Sequence, residues 1–316
     1  NSCQQFISKK GKKTEIIASF PWYGNWGRDS LVALPGLLLS RGDFKTSKSV
    51  LDTITESING YDYRNVGNIE RSNVESIDTP LWYFWAIQQY AYASGEFSTV
   101  KKSYGDKLHD IVRIYRDGLN PNVKMNDNGL LYLPDAKKAL TWMDSMVDGY
   151  PVVARYGYVV EINALWYNAI KFLIELEEKT RSKMDVEDWK DIAKDIEISF
   201  KDIFWIKEKN YLADYVVNDY QVATVRPNQI LATSLPYTVL SDNKRHAILE
   251  VVEKELLTPR GIRSLTPKHS TYKGVHQGSK RDRDIAYHQG TVWPWLLGPF
   301  AEGYLKIHQK AGLRLI

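Results

Sequence analysis

The 316-residue chain has a single cysteine, Cys3. One thiol excludes an internal disulfide framework and points to a reducing, cytoplasmic compartment. No apolar run approaches the roughly 20 residues needed to span a bilayer, and no secretory signal is visible, so no membrane association is expected. Charge of one sign is also scarce, since 42 Lys and Arg against 38 Asp and Glu leave a net charge of +4. Such a balance gives no basic stripe for nucleic acid or for an anionic membrane. The short run Lys9-Lys10-Gly11-Lys12-Lys13 reads as a solvated loop. Also missing are a His/Cys spacing suited to zinc, a phosphate-cradling Gly-rich loop and a Gly-x-Ser-x-Gly elbow. No metal or organic cofactor is expected, and no Ser or Cys nucleophile has an obvious base.

What the chain has in quantity is aromatic surface, with ten tryptophans and twenty tyrosines. Flat apolar faces suit sugar rings, although large rings fill the core of a helical protein equally well. Apolar residues recur at three- and four-residue spacing over 30–41, 43–58, 79–94, 98–118, 158–179, 185–204, 227–240, 242–257 and 289–310, which predicts nine helices. Helices apolar on most faces alternate with amphipathic ones. The stretch from Val159 to Leu176 is apolar nearly all round, whereas 185–204 shows a stripe of Trp189, Ile192, Ile196 and Phe200, with Asp185 as its N-cap. The pattern predicts an all-α chain, an inner ring of helices wrapped by an outer one, in a single domain over residues 1–316. Long loops at 59–78, 119–157, 206–226 and 258–288 would gather at one mouth, and loops of that length usually carry function.

Polar clusters stand where those loops meet apolar helices. Phe20-Pro-Trp-Tyr-Gly-Asn-Trp26-Gly-Arg28-Asp29 sets tryptophan faces beside a charged fork, a combination suited to a carbohydrate. Asp78, ahead of Pro80 and Trp82, reads as a helix N-cap as readily as a ligand. Asp144 follows Trp142 and Met143 and precedes Met146; an apolar setting raises a carboxyl pKa, which a general acid requires. Glu161 on the apolar 158–179 helix must be paired or ligand-facing, because an unpaired buried carboxylate is costly. Arg226-Pro-Asn-Gln229 and Tyr287-His288-Gln289-Gly-Thr-Val-Trp293-Pro-Trp295 repeat the loop-to-helix pattern.

Together these motifs resemble, in order and over nearly the whole chain, the C-terminal amylo-α-1,6-glucosidase domain of glycogen debranching enzymes of the archaeal and bacterial type. The stretches that carry the likeness are Phe20–Gly36, Asp78–Trp82, Leu140-Thr-Trp-Met-Asp144, Val160–Ala169, Arg226–Gln229 and Tyr287–Trp295. The resemblance implies a six-hairpin (α/α)6 barrel, here incomplete at its C-terminus and without the family's N-terminal β-rich domain. It implies inverting hydrolysis of the α-1,6-linked glucose stub of a branched α-glucan. Asp144 is then the general acid; Trp26, Arg28, Asp29, Asp78, Trp82, Trp142, Glu161, Arg226, His288, Gln289 and Trp293 are the expected substrate-binding residues. Inversion needs a second carboxylate roughly 6.5–9.5 Å from the acid, and the resemblance puts it on a Glu beyond Ile316. Two departures stand out: residues 59–68 lack the family's usual rim pattern, and Tyr158 replaces a Lys. Two alternatives remain, a non-catalytic glycan-binding module and an (α/α)6 sugar epimerase working through paired histidines.

Overall fold

A computed structural model describes residues 2–18, 24–58 and 75–314. Phe20–Tyr23 of the first motif and the 59–68 rim therefore lie outside the described residues. The chain forms two compact units, one of Asn1–Leu119 with Ala169–Lys190, the other of Asn120–Asn168 with Asp191–Ile316.

The first unit contains α1 (Gly27–Leu37), α2 (Phe44–Glu56), α3 (Asp78–Ser94) and α4 (Phe97–Arg116). It also holds the later part of α5 (Val160–Lys179) and the first turn of α6 (Glu187–Phe204). Asp43 starts α2 by accepting the Thr46 amide at 3.1 Å. Along α4, Val100, Tyr104, Leu108, Ile111 and Tyr115 fall on one face and are all buried. Tyrosine hydroxyls tie these helices together: Tyr104 donates to Asp52 of α2 at 2.8 Å, and Tyr83 of α3 bonds Thr55 of α2 at 2.7 Å. An N-terminal hairpin pairs Ile7–Lys10 with Lys13–Ile16 across Gly11, so the basic run is partly strand.

The second unit holds the rest of α5 and α6, then α7 (Leu231–Ser234), α8 (Asp242–Glu255), α9 (Lys280–Ala286) and α10 (Leu297–His308). Every residue from Val159 to Ile170 is buried, as the all-round apolar pattern of α5 requires. The α6 stripe is Trp189, Ala193, Ile196, Phe200 and Phe204, with Ile192 at its edge. The structure is helix-rich but not all-α. Strands Lys124–Met125, Leu131–Leu133, Gly157–Val159, Tyr215–Val217 and Tyr220–Val222 form a five-stranded antiparallel sheet in sequence order. Gly157 has a φ of +77°, and a Cβ there would lie 2.3 Å from the Val216 carbonyl oxygen, so only glycine fits. Asn163, wholly buried in α5, accepts the Leu131 amide at 2.7 Å and donates to the Leu131 carbonyl at 3.0 Å, which fixes the sheet against the helix.

Proline accounts for two other differences from expectation. The predicted 227–240 helix is a 3-10 turn, Pro227–Ile230, running into the single turn of α7. It stops because Leu235 precedes Pro236 and is extended, with φ −55° and ψ 149°. The predicted 289–310 helix starts only at Leu297, because Trp293 precedes Pro294 and is extended, in a strand with Val292. Helix α9 has no counterpart among the predicted helices; its signal is a capping box, Ser279 to the Asp282 amide and Asp282 back to Ser279, inside a predicted loop.

Candidate active site

In the first unit, the start of α1 meets the start of α3 through one ion pair. Arg28 donates from Nη2 to Asp78 Oδ1 at 2.9 Å and to Ser76 Oγ at 3.0 Å, and its Nε lies 2.8 Å from Asp78 Oδ2. Asp78 is fully buried and also accepts from Trp82 Nε1 at 3.3 Å. Of its two readings the N-cap one is corrected: Asp78 is the first residue of α3, and Ser76 Oγ accepts the Thr79 amide, at 3.3 Å. Trp82 is equally closed from solvent. Trp26 and Arg28 are half-buried and Asp29 is exposed, so these three are the members of this group with surface to offer a ligand.

In the second unit, a larger polar network lies under the Asp144 segment. Arg155 is at its centre, 3% exposed. Its guanidinium takes Asp214 through Nε at 2.7 Å and Nη2 at 2.9 Å, and takes both oxygens of Glu161, one of them at 2.6 Å. Glu161 is thus paired rather than ligand-facing, with burial pushing its carboxyl pKa up against the pull of Arg155. Arg226 lies 3.8 Å from Asp214 and donates to the carbonyls of Ser264 and His288 and to Gln289 Oε1, at 3.0, 2.8 and 2.7 Å. Burial pulls the Arg226 guanidinium down to about 10, which leaves it charged at neutral pH. Two guanidinium groups and two carboxylates therefore balance inside the unit.

Above this network is an aromatic cluster. Trp142 is 5% exposed and meets His288, Trp293 and Trp295 edge-on at 5.2–5.3 Å between ring centres. His288 is fully buried and stacks on Trp293, their planes 10° apart. Trp142, His288, Gln289, Arg226 and Glu161 come together but turn inward; Trp293 and Asp144 are half-buried. Asp144 directly follows buried Trp142 and Met143 and is itself half-buried, while Met146, the third residue of its expected apolar setting, is exposed. The segment is fixed on both sides. Met143 N–H bonds Thr141 Oγ1 at 3.3 Å, and Ser145 Oγ donates to the Asp284 carbonyl of α9 at 2.5 Å. Beyond it, Met146–Val147 and Tyr150–Pro151 form a hairpin whose Asp148 and Gly149 both have positive φ, the turn that matches strand twist.

The amylo-alpha-1,6-glucosidase family profile matches residues 1–315. The chain belongs to this family of glycoside hydrolases. It is 22% identical to the glycogen debranching enzyme of Saccharomyces cerevisiae over 92% of its own length. That match spans 25% of the yeast protein, so the chain covers about a quarter of the length of this relative. In fold it is similar to a GH63 mannosylglycerate hydrolase from Thermus thermophilus solved with glucose, with a TM-score of 0.69, 12% identity, and coverage of 99% of this chain and 88% of that one. A structure described as a wild-type glycosidase matches with a TM-score of 0.65 and 13% identity, over 99% of this chain and 79% of that one.

Three members of the buried network had no place among the expected site residues of this glucosidase-family chain: Arg155, Asp214 and Asn228. Asn228 lies inside the Arg226–Gln229 motif. Arg155 and Asp214 lie in loops without a motif; the available signal was charge, since a buried Glu161 needs a cation and Arg155 precedes it by six residues. Tyr158, where the family commonly has Lys, has its hydroxyl engaged by Asn126 at 2.7 Å and Asn128 at 3.2 Å. Among the described residues, no three His, Cys, Asp or Glu side chains converge as a metal site, and no helix is long and apolar enough to cross a membrane.

Proposed function

We propose that the intact protein hydrolyses the α-1,6-linked glucose stub at a branch point of an α-glucan, with inversion, and that Asp144 of this chain supplies the general acid. The observation that carries the reading is the setting of Asp144: a half-buried carboxyl directly after buried Trp142 and Met143, on a segment held at Thr141, Met143 and Ser145. A general acid must keep its proton near neutral pH, give it to the glycosidic oxygen as the bond breaks, and point in one direction throughout. A half-buried carboxyl on a held segment meets the last need while leaving the substrate a way in.

On this reading the buried residues of the second unit shape the surroundings of Asp144. In the first unit, taken by itself, Trp26 presents a flat face, and Arg28 and Asp29 a donor and an acceptor of the kind that sugar hydroxyls take. Asp78 and Trp82 hold Arg28 from behind. Trp142, Glu161, Arg226, His288 and Gln289, first expected to contact substrate, act by holding the loops, while Trp293 keeps an open edge. The fold shared with glycoside hydrolases supports the six-hairpin barrel as the frame. The epimerase alternative needs a histidine ring open to substrate, and His288 is closed off.

The test is Asp144→Asn in the intact protein, on a limit dextrin carrying single α-1,6-linked glucosyl branches. Glucose release falls by about 10²–10⁴-fold, the usual contribution of an acid–base residue, with an unchanged unfolding temperature. Wild-type enzyme releases β-glucose first, read by proton NMR. Near-normal turnover by Asp144→Asn removes that residue from the role.

A further inference from the structure

We infer that Asn228 is a positioning residue that carries the fixed geometry of the Arg155–Asp214 ion pair to the segment bearing Asp144. This rests on the reading of Asp144 as the acid. Asn228 is 1% exposed, so it reaches no solvent and acts only through its neighbours. Its amide nitrogen donates to Asp214 Oδ1 at 2.7 Å, and its amide oxygen accepts the Trp142 indole N–H at 2.7 Å. The same nitrogen lies 3.6 Å from the Met143 sulfur. One side chain thus links a buried carboxylate to two consecutive residues immediately before Asp144. A second strand of the same network, Arg155 Nη1 to Thr141 Oγ1 at 3.4 Å, reaches one residue further back.

The polarity of the link is fixed. Asp214 as a carboxylate only accepts, and the indole N–H only donates, so an amide with one donor and one acceptor end is what fits between them. Asp214 is itself immobile, held by two nitrogens of Arg155 and lying 3.8 Å from Arg226. The indole, locked by its N–H, is in turn packed edge-on against His288, Trp293 and Trp295. Loss of the Asn228 amide would free the ring to turn within that cluster and let the carboxyl two residues on drift. Small misplacement of a catalytic group costs rate far more than binding.

Two variants of the intact protein test this, with Asp144→Asn measured alongside. Asn228→Ala lowers kcat on the α-1,6-branched dextrin by roughly 10- to 100-fold, while KM stays within about twofold. The alkaline limb of its kcat–pH profile moves, because the acid's surroundings change. Trp142→Phe removes the indole donor from the link, and adding Asn228→Ala to it costs kcat no more than about twofold further, the sign of one shared interaction. Near-ultraviolet circular dichroism and the unfolding temperature normalise each rate to folded protein. A kcat per folded molecule equal to wild type, an unmoved pH limb, or fully additive losses overturns the positioning role. If Asn228→Ala does not fold, Trp142→Phe alone decides by its kcat and pH limb. An active Asp144→Asn enzyme overturns the acid assignment instead, so the two failures are distinguishable.

Discussion

In the first unit Glu177 of α5 is held by an amine and an imidazole; in the second, Glu161 and Asp214 share one guanidinium. Both arrangements bury carboxylates to 3% exposure or less. They differ in what can change. Glu177 takes Lys101 Nζ and His109 Nε2 on the same oxygen, the latter at 2.7 Å, and an imidazole, unlike a guanidinium, is a group that titrates. Arg155 keeps its charge at any pH a protein survives, and its planar fork meets both acids in two-pronged fashion. The first cluster is responsive and sits between helices. The second is permanent and sits under the loop that carries the proposed acid. A buried ion pair is weak evidence for stability as such, since hydrophobic residues of similar volume often serve equally well. In the second unit its value lies in direction: it holds Asn228, and through it Trp142, at fixed angles.

The sharpest way to break this contrast is Arg155→Met. Removing this cation leaves buried Glu161 without its guanidinium and Asp214 with Arg226 at 3.8 Å, and loss of one partner of a buried pair costs about 3–5 kcal/mol. Urea unfolding of the intact protein should show that loss. The triple change Arg155→Met, Glu161→Gln, Asp214→Asn should recover much of the stability without recovering activity. Recovery of both would mean that the network supplies folding energy and no orientation.

The two units also differ in how far they can be read from the chain. Helices α2, α3 and α4 of the first unit are 13 to 20 residues long, so several turns of periodic burial register in the sequence. The strands of the second unit are two or three residues each, too short for an alternation to be seen. Pairing across long loops decides them, and Asn218-Asp219, both at positive φ, is the turn that joins two of them. The individual motifs were legible as loop-to-helix boundaries rich in Trp, Arg and Asp. What was not legible is which of those side chains point inward: Trp142 and His288 look like ligand contacts in sequence and are buried in the fold. Arg155 and Asp214 pair across 59 residues, a separation no local pattern records.

An intermediate effect is expected at the responsive cluster. Burial lowers the His109 pKa below its ordinary value of 6.5, the Glu177 bond opposes this, and Lys101 adds to it. For Glu177, burial pushes the carboxyl up, but bonds from Lys101, Ser182 and His109 outweigh it and hold the pKa below 4.5. Both folded values are depressed, so the unfolded chain takes up protons first as pH falls. Stability is whole above the unfolded histidine value, declines as pH drops through the folded one, and declines again when Glu177 protonates. His109→Gln keeps a donor for Glu177 and cannot titrate. Its unfolding temperature should therefore fall less than that of wild type between about pH 7.5 and pH 5.5, where histidine linkage operates. Asp106 of α4 also faces His109 and is the same in both proteins. Parallel curves would show that the first unit is as insensitive to protons as the second.

The smallest effect sharpens the contrast on the side of the second unit, at α9. Ser279 accepts the Asp282 amide at 3.2 Å, and Asp282 returns a bond to the Ser279 amide at 3.1 Å. Helix α9 is seven residues long and mostly exposed, too short to hold itself in water without such a box. It bonds the Asp144 segment through the Asp284 carbonyl, which accepts from Ser145 Oγ, and Arg281 adds an exposed pair with Asp148 at 3.0 Å. Ser279→Ala should cost about 0.5–1 kcal/mol, the low end for a lost cap. If α9 braces the loop, fraying it lowers turnover while leaving the buried Arg155 network intact, so the loss of rate exceeds what the small drop in folded fraction explains. Hydrogen exchange would then rise at 280–286 and at 145–152, and stay unchanged at Asn228 and Asp214. Exchange confined to α9 with full activity would show that the buried network alone fixes Asp144, which makes the permanent cluster the sole organiser of that segment.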